Sequence, residues 1–339
     1  MARALANLPR MGVAPARRVS TAMHLLRPRH QAPSHLDLEQ IDPLYFRAAA
    51  KSLWVPCGGH GVFGGQVLGQ ALHAATRTVD GSLGPYEARE WTQVSLHSYF
   101  LHRGEIDHSI LYRVKRTSDL RSFKSRSVEA VQHGRVIFKM QCQFARRTKA
   151  GELHHATPMP ADVRPPEECP CMRDELERMI PRAPATLRPL IEQNLVLPVE
   201  VRYADGVAPD LLNPSPPVVS PARQRLWMRV RENIDERERL DECCAAYISD
   251  QPLLLTALTP HGVQWPGPKV GVFATLDHSM WFHAPIDAND WMLYEMESPH
   301  AGGGTGLAFG RLYQRSSGEL VVSCAQQGVV RLARPPGER

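Results

Sequence analysis

The chain has 339 residues, 43% of them hydrophobic and 22% charged, with a formal net charge of +5. That length accommodates roughly two domains, and these ordinary fractions exclude a disordered or collagen-like chain. No uninterrupted apolar run reaches about 18 residues, so no membrane-spanning helix is expected.

The charge is unevenly placed. Residues 1–36 hold Arg3, Arg10, Arg17, Arg18, Arg27 and Arg29 and no acid, leaving 34 basic against 35 acidic residues in the rest. A nucleic-acid partner is therefore not expected, because the folded part lacks a basic excess. The Arg-rich, acid-free segment 1–36 has the composition of a mitochondrial transit peptide, or of an unstructured basic arm. Seven irregularly spaced cysteines fit neither a disulfide framework nor a CxxC zinc site. Cys243-Cys244 reads as a buried pair rather than a nucleophile.

After the leader, residues 37–145 form one predicted unit. Gly59-His60-Gly61-Val62-Phe63-Gly64 matches GxGxxG, but Pro56 stands where a central strand should precede it. From Gly64 to Ala75, Val67, Leu68, Ala71, Leu72 and Ala75 trace a helical stripe. Strands follow: Leu96 opens a run that reaches Phe144, with a turn at Gly134.

Residues 146–197 are crowded with prolines, among them Pro158, Pro160, Pro165, Pro166, Pro170, Pro181, Pro184 and Pro189. This reads as a stiff linker holding a short helix around Met172–Met179. Residues 198–334 form the second unit, and 335–339 a tail. Ser249 and Asp250 read as caps of a second apolar helix, with Pro252 in its first turn. Strands follow again, with a turn at Gly318.

The two units resemble each other. A shift of 181 sets His97-Ser98 on His278-Ser279, 182 sets Tyr112 on Tyr294, and 184 sets Gly134 on Gly318. The reading is α+β: an antiparallel sheet wrapped around a long helix, twice over. There is no P-loop lysine, HExxH or GxSxG. His278 and His283 read as packed or hydrogen-bonded histidines rather than metal ligands.

Phe63-Gly64-Gly65-Gln66-Val67-Leu68-Gly69-Gln70 resembles the first-half helix of the type II acyl-CoA thioesterases. Ala274-Thr275-Leu276-Asp277-His278-Ser279-Met280-Trp281-Phe282 resembles their most recognisable segment. Trp291 to Pro299 and Cys324 to Val329 continue the likeness, nearest to the eukaryotic peroxisomal branch. The resemblance implies a double hotdog fold and hydrolysis of medium- to long-chain fatty acyl-CoA by water, without cofactor or metal.

It also assigns roles. Asp250, in Tyr247-Ile248-Ser249-Asp250, becomes the base acting on water, with Thr275 and Gln326 holding that water. Gly64 and Gly65 become the backbone that a thioester approaches. On residue types alone, Asp250 reads as a helix cap, Thr275 as a strand hydroxyl, Gln326 as an edge-strand amide, and Asp277 as a rival acid. Gln66 holds roughly the place of Asp250 in the first half and cannot act as a base, so one site per pair of halves is expected.

The family's branch implies a peroxisomal location, although the chain ends Gly337-Glu338-Arg339. Arg17 to Leu25 comes close to an N-terminal peroxisomal address, and the leader composition supports a mitochondrial alternative. A second functional reading is a catalytically silent hotdog scaffold or binding subunit in a mitochondrial assembly. An enoyl-CoA hydratase lacks a matching Asp and His pairing. Homo-oligomers are compatible with hotdog sheets.

Overall fold

Helix α1 (Gly64–Thr76) is buried on every side from Gly65 onward. Its apolar stripe faces the core as the periodicity predicts, and its polar residues are buried too because each has a partner. Gln66 accepts from the Trp54 N–H at 2.9 Å and donates to the carbonyls of His35 and Ser52. Gln70 donates to His35 O and accepts from the Tyr112 hydroxyl, both at 2.7 Å. Nδ1 of His73 lies 2.9 Å from Leu36 O. This polar stripe, spaced at one and two helical turns, clamps the chain entering the fold.

The computed structural model describes residues 35–333 except 57–58, 60, 84–87, 148–152, 186, 207–211, 213–218, 232–239, 264 and 266–268. The leader up to residue 34, the tail from residue 334, Cys57 and His60 lie outside the described residues.

Around α1 run β1 (Glu39–Asp42), β2 (Tyr45–Ala48), β3 (Trp91–Phe100), β4 (Ile110–Asp119), β5 (Phe123–Gln132) and β6 (Arg135–Arg146). The second half supplies β7 (Val199–Tyr203), β8 (Arg223–Val230), β9 (Val270–Phe282), β10 (Met292–Gly302), β11 (Thr305–Gln314) and β12 (Leu320–Leu332). All twelve join one antiparallel sheet in the order β1-β2-β4-β5-β6-β3-β9-β12-β11-β10-β8-β7. The halves meet where β3 pairs with β9, His97 opposite Ser279 and Ser98 opposite His278. Each half curls its sheet over a helix, and the fold is a double hotdog.

The second helix differs from the sequence reading. Helix α4, preceded in the chain by α2 (Met172–Met179) and α3 (Arg188–Leu195), spans Asp241–Asp250 and ends where a helix start was expected. Ser249 and Asp250 form its last turn and do not cap the start of a helix of their own half. Pro252 lacks the N–H that an α-helix would need there, and a 3₁₀ segment, Leu253–Ala257, follows. Every residue of α4 is buried, so no amphipathic period marks it in the sequence.

The two central helices pack antiparallel through glycines. A Cβ at Gly65 would lie 2.5 Å from Tyr247 O, and one at Gly69 would lie 2.8 Å from Cys243 O. Four residues separate the contacts on each helix, so residues one turn apart let the backbones touch.

The pleat also corrects the repeat. A bulge occupies Val94 in β3, between Gln93 and Ser95, and Leu276 in β9, between Thr275 and Asp277. These bulges are 182 apart, the same shift as Tyr112 and Tyr294. At that shift Leu96, not His97, matches His278. His97 is exposed while His278 is fully buried, so the paired His-Ser letters lie one residue out of register and on opposite faces.

The Pro-rich stretch contributes structure. Leu176 and Met179 of α2 pack with Ala183 and Ile191. Cys169, with Met159 and Val163, covers Trp227, Trp291, Leu293 and Tyr313 on the outer face of the second half-sheet. That cover explains why β10 is buried on both faces over Met292–Met296. The β4–β5 connection, which lacks a glycine, closes with the Leu120 N–H on Phe123 O at 2.8 Å and needs no left-handed residue.

Candidate active site

Asp250 stands at the C-terminal end of α4, 9% exposed. Its Oδ1 accepts from Gln326 Nε2 at 2.6 Å and from the Thr275 hydroxyl at 3.2 Å, and Gln326 Nε2 also reaches Thr275 Oγ1 at 2.6 Å. Three side chains from a helix and two neighbouring strands, far apart in sequence, thus share one point. Oε1 of Gln326 is buried without a hydrogen-bond partner, an acceptor left over at that point.

The Leu276 bulge makes this convergence possible. Along a regular strand Thr275 would share the face of Asp277. The extra residue turns Thr275 to the helix face, where His278 and Gln326 also point. Asp277, the rival acid, accepts the backbone N–H of Gln327 instead and stands outside the trio. The first-half bulge acts alike, aiming Gln93 at Thr76 Oγ1 of α1 at 2.9 Å.

The remaining support for Asp250 comes from the other half. The N–H of Gly65, in the first turn of α1, donates to the carboxylate. A Cβ on Gly64 would sit 2.7 Å from Asp250 Oδ2. The glycines expected to admit a thioester therefore already admit a carboxylate at a helix N-terminus, where unpaired N–H groups and the helix dipole favour negative charge. Burial nevertheless dominates and pushes the Asp250 pKa up to about 6, against the hydrogen bonds from Thr275, Gly65 and Gln326 that lower it.

Behind the trio lies a buried layer absent from the residue-type argument. His278 Nε2 is 2.9 Å from Ser249 Oγ, which also reaches Ala246 O at 3.0 Å. Burial lowers the His278 pKa to about 3 and keeps the ring neutral. Tyr294 OH donates to Ser249 O at 2.8 Å and lies 3.2 Å from Cys324 Sγ. These groups fix the last turn of α4 against the sheet. Ser249 and His278 could be suspected from their nearness in sequence to Asp250 and Thr275, and Tyr294 from its match to Tyr112, but nothing in the sequence joins them into one layer. His283 instead pairs with Ser323 Oγ at 2.9 Å, so the two histidines serve different partners.

Gln66, expected at the place of Asp250, instead lies in the first turn of α1 with its amide held by backbone groups, whereas Asp250 ends α4; at the shift of 182 Leu68 matches Asp250. Cys243 and Cys244 are buried thiols whose pKa values burial raises well above the ordinary thiol range, which removes thiolate chemistry. A polar cavity of about 440 Å³, lined in part by Arg146, Arg147, Glu242 and His283, lies at the opposite end of α4 from Asp250. No described helix is long and apolar enough to cross a membrane.

Comparison with known proteins places this geometry in context. The acyl-CoA thioesterase N-terminal domain family matches residues 51–145, and the acyl-CoA thioesterase C-terminal domain family matches residues 166–330. Human acyl-coenzyme A thioesterase 8 is 42% identical over 308 residues, covering 88% of this chain and 88% of its own. The peroxisomal acyl-coenzyme A thioester hydrolase 1 of Saccharomyces cerevisiae is 24% identical, with 81% and 87% covered. The crystal structure of an acyl-CoA thioesterase II, TesB2, from Mycobacterium marinum superimposes with a TM-score of 0.66 at 32% identity, covering 90% of this chain and 99% of that one.

Proposed function

We propose a mechanism for this chain, which belongs to the acyl-CoA thioesterase family and hydrolyses acyl-CoA thioesters: Asp250 is the general base that activates water, and Thr275 and Gln326 hold both the base and the water. The observation that carries the reading is the meeting of these three groups within 3.2 Å. The unpaired Oε1 of Gln326 is the acceptor for a water O–H.

A thioester carbonyl is electrophilic enough for such a water to attack. Asp250, with its pKa raised to about 6, is ionised at neutral pH yet basic enough to take the proton, the match of pKa to task that general-base catalysis requires. Attack forms a C–O bond and places negative charge on the carbonyl oxygen. With the Gly65 N–H engaged by Asp250, the Gly64 N–H of the same helical turn is the donor we assign to that oxyanion. Collapse breaks the C–S bond. Protonated Asp250 returns its proton to the departing CoA sulfur, leaving a fatty acid and regenerating the base.

Phe100, 3.1 Å from the space a Gly64 Cβ would fill, and Leu254, 2.3 Å from that of Gly328, put apolar surface beside the glycines that border the trio. That surface suits the acyl chain and supports a medium- to long-chain substrate. Leu68, which the shift of 182 sets on Asp250, is aliphatic and cannot act as a base, and this supports one site per chain. No cofactor or metal enters these steps.

In this mechanism residues 37–145 and 198–334 are the two hotdog units, joined by 146–197, with the base, hydroxyl and amide all in the second. Peroxisomal location is supported by the name of the yeast relative, while the Arg-rich leader, outside the described residues, supports the mitochondrial alternative. Homo-oligomerisation through sheet edges and the lack of a nucleic-acid partner complete the proposal. The intact trio argues against a silent scaffold. The test is release of CoA thiol from acyl-CoA of graded chain length by the natural chain and by Asp250→Asn and Gln326→Ala. Full rate in both variants would overturn the mechanism, and a rate that peaks on short chains would overturn the chain-length assignment.

A further inference from the structure

Away from the Asp250 trio, one exposed cluster of ligating side chains has no role in the mechanism. Glu105 and His108 lie on the connection from β3 to β4, and His133 sits in the two-residue turn joining β5 to β6. Glu105 Oε2 is 3.5 Å from His108 Nδ1 and 3.4 Å from His133 Nε2, and all three ligand atoms lie within 4.8 Å of one another. The two imidazoles meet edge to face with centroids 4.2 Å apart. A tetrahedral ion with ligands at about 2.0–2.1 Å sets those ligands roughly 3.3 Å apart, close to the two distances observed.

Hydrogen bonds tie together the backbone segments that carry these side chains. The Gln132 side chain accepts from the Glu105 N–H at 2.8 Å and donates to Glu105 O at 2.8 Å and to His108 O at 2.7 Å. One side chain thus ties both ligand-bearing segments together from beneath. His133 has φ of +50° and Gly134 +71°, the left-handed pair of a tight hairpin turn. Asn or Gly is the usual first residue of such a turn. An imidazole there is held out from the sheet toward the other two ligands.

We propose that Glu105, His108 and His133 form a binding site for a zinc-class divalent ion, with water completing the coordination. Two neutral imidazoles and one carboxylate are a donor set suited to Zn²⁺ and Co²⁺ and poorly suited to Ca²⁺ or Mg²⁺, which take oxygen ligands. The ion fastens the β3–β4 connection to the β5–β6 hairpin. The proposal does not rest on the assigned reaction, in which no metal takes part.

The experiment is titration of the untagged, chelator-treated full chain with Co²⁺, followed by Zn²⁺. Expected are one equivalent of Co²⁺ with the intense visible absorption of a four- or five-coordinate ion, its displacement by Zn²⁺, and a higher melting temperature with Zn²⁺ present. His133→Asn keeps a residue suited to the left-handed turn and removes one ligand. It and His108→Ala should each weaken Co²⁺ binding at least about tenfold, and Gln132→Ala about ten- to hundredfold through loss of the supporting contacts. Thiol release from acyl-CoA at the natural rate shows that the variants are folded. Absence of that absorption, or Co²⁺ affinity unchanged in the His108→Ala/His133→Asn double variant, would overturn the site.

Discussion

Replacing Asp250 by Asn separates what this carboxylate does for chemistry from what it does to stability. Its pKa stands at about 6, against an ordinary value of 3.8, because burial penalises the charged form more than its three donors favour it. At about 1.4 kcal/mol per pH unit, holding the ionised group in the fold costs about 3 kcal/mol. The penalty is absent below pH 3.8, where folded and unfolded chains are both protonated. It grows as pH rises, because only the unfolded chain releases its proton, and it is complete above about pH 6. Asparagine carries no such penalty. The stability of Asp250→Asn relative to the natural chain should therefore rise by about 2.5 kcal/mol between pH 4 and pH 8, whatever constant offset the misplaced amide N–H₂ introduces. Denaturant unfolding of both proteins across that range measures it. Over the same range the natural enzyme's kcat/KM should fall about tenfold per pH unit below pH 6, and the variant should lose roughly 10²–10⁴ in rate. A stability difference that stays flat with pH would refute the buried, charge-penalised carboxylate. A variant that retains its activity would refute the base.

Gln326→Ala removes a donor that lowers the Asp250 pKa, so thiol-release profiles should show the acid limb moved above pH 6, with a rate loss of about 10²-fold. Thr275→Val should shift the limb the same way, while Thr275→Ser should restore it. Gly64→Ala places a methyl 2.7 Å from Asp250 Oδ2 and should abolish thiol release in a protein whose melting curve remains cooperative. Gly69→Ala should destabilise by about 1–3 kcal/mol in denaturant unfolding, although alanine is about 1 kcal/mol the better helix former, because its Cβ meets the backbone of Cys243. The neutral His278, its pKa lowered by burial to about 3, contributes a loss of stability as pH falls from 6.5, opposite in sign to the Asp250 contribution, since only the unfolded chain takes up its proton. His278→Leu, matching Leu96 in the first half, should remove that slope of about 1.4 kcal/mol per pH unit in acid-unfolding curves.

Much of this molecule was legible in the order of its residues. The stripe Val67, Leu68, Ala71, Leu72 and Ala75 announces α1, alternation announces the strands, and Tyr112 with Tyr294 announces the duplication. Each rests on short-range periodicity or on like residues at like spacing. The identities Asp250, Thr275 and Gln326 came from the segments around them, since a carboxylate, a hydroxyl and an amide carry no mark of a shared site.

What tertiary structure alone decided lies where distant segments act on one another. The letters around Ser249-Asp250-Gln251-Pro252 fit a helix start, yet uniform burial of Asp241–Asp250 makes them a helix end. One bulge at Leu276 selects the face of Thr275, and the pleat turns His97 outward and His278 inward despite their matching neighbours. The N–H that steadies Asp250 belongs to Gly65, in the other half of the duplication. Local sequence encodes backbone preference and side-chain chemistry. Which groups meet, and how far burial shifts their protonation, depends on the packing of two helices beneath one shared sheet.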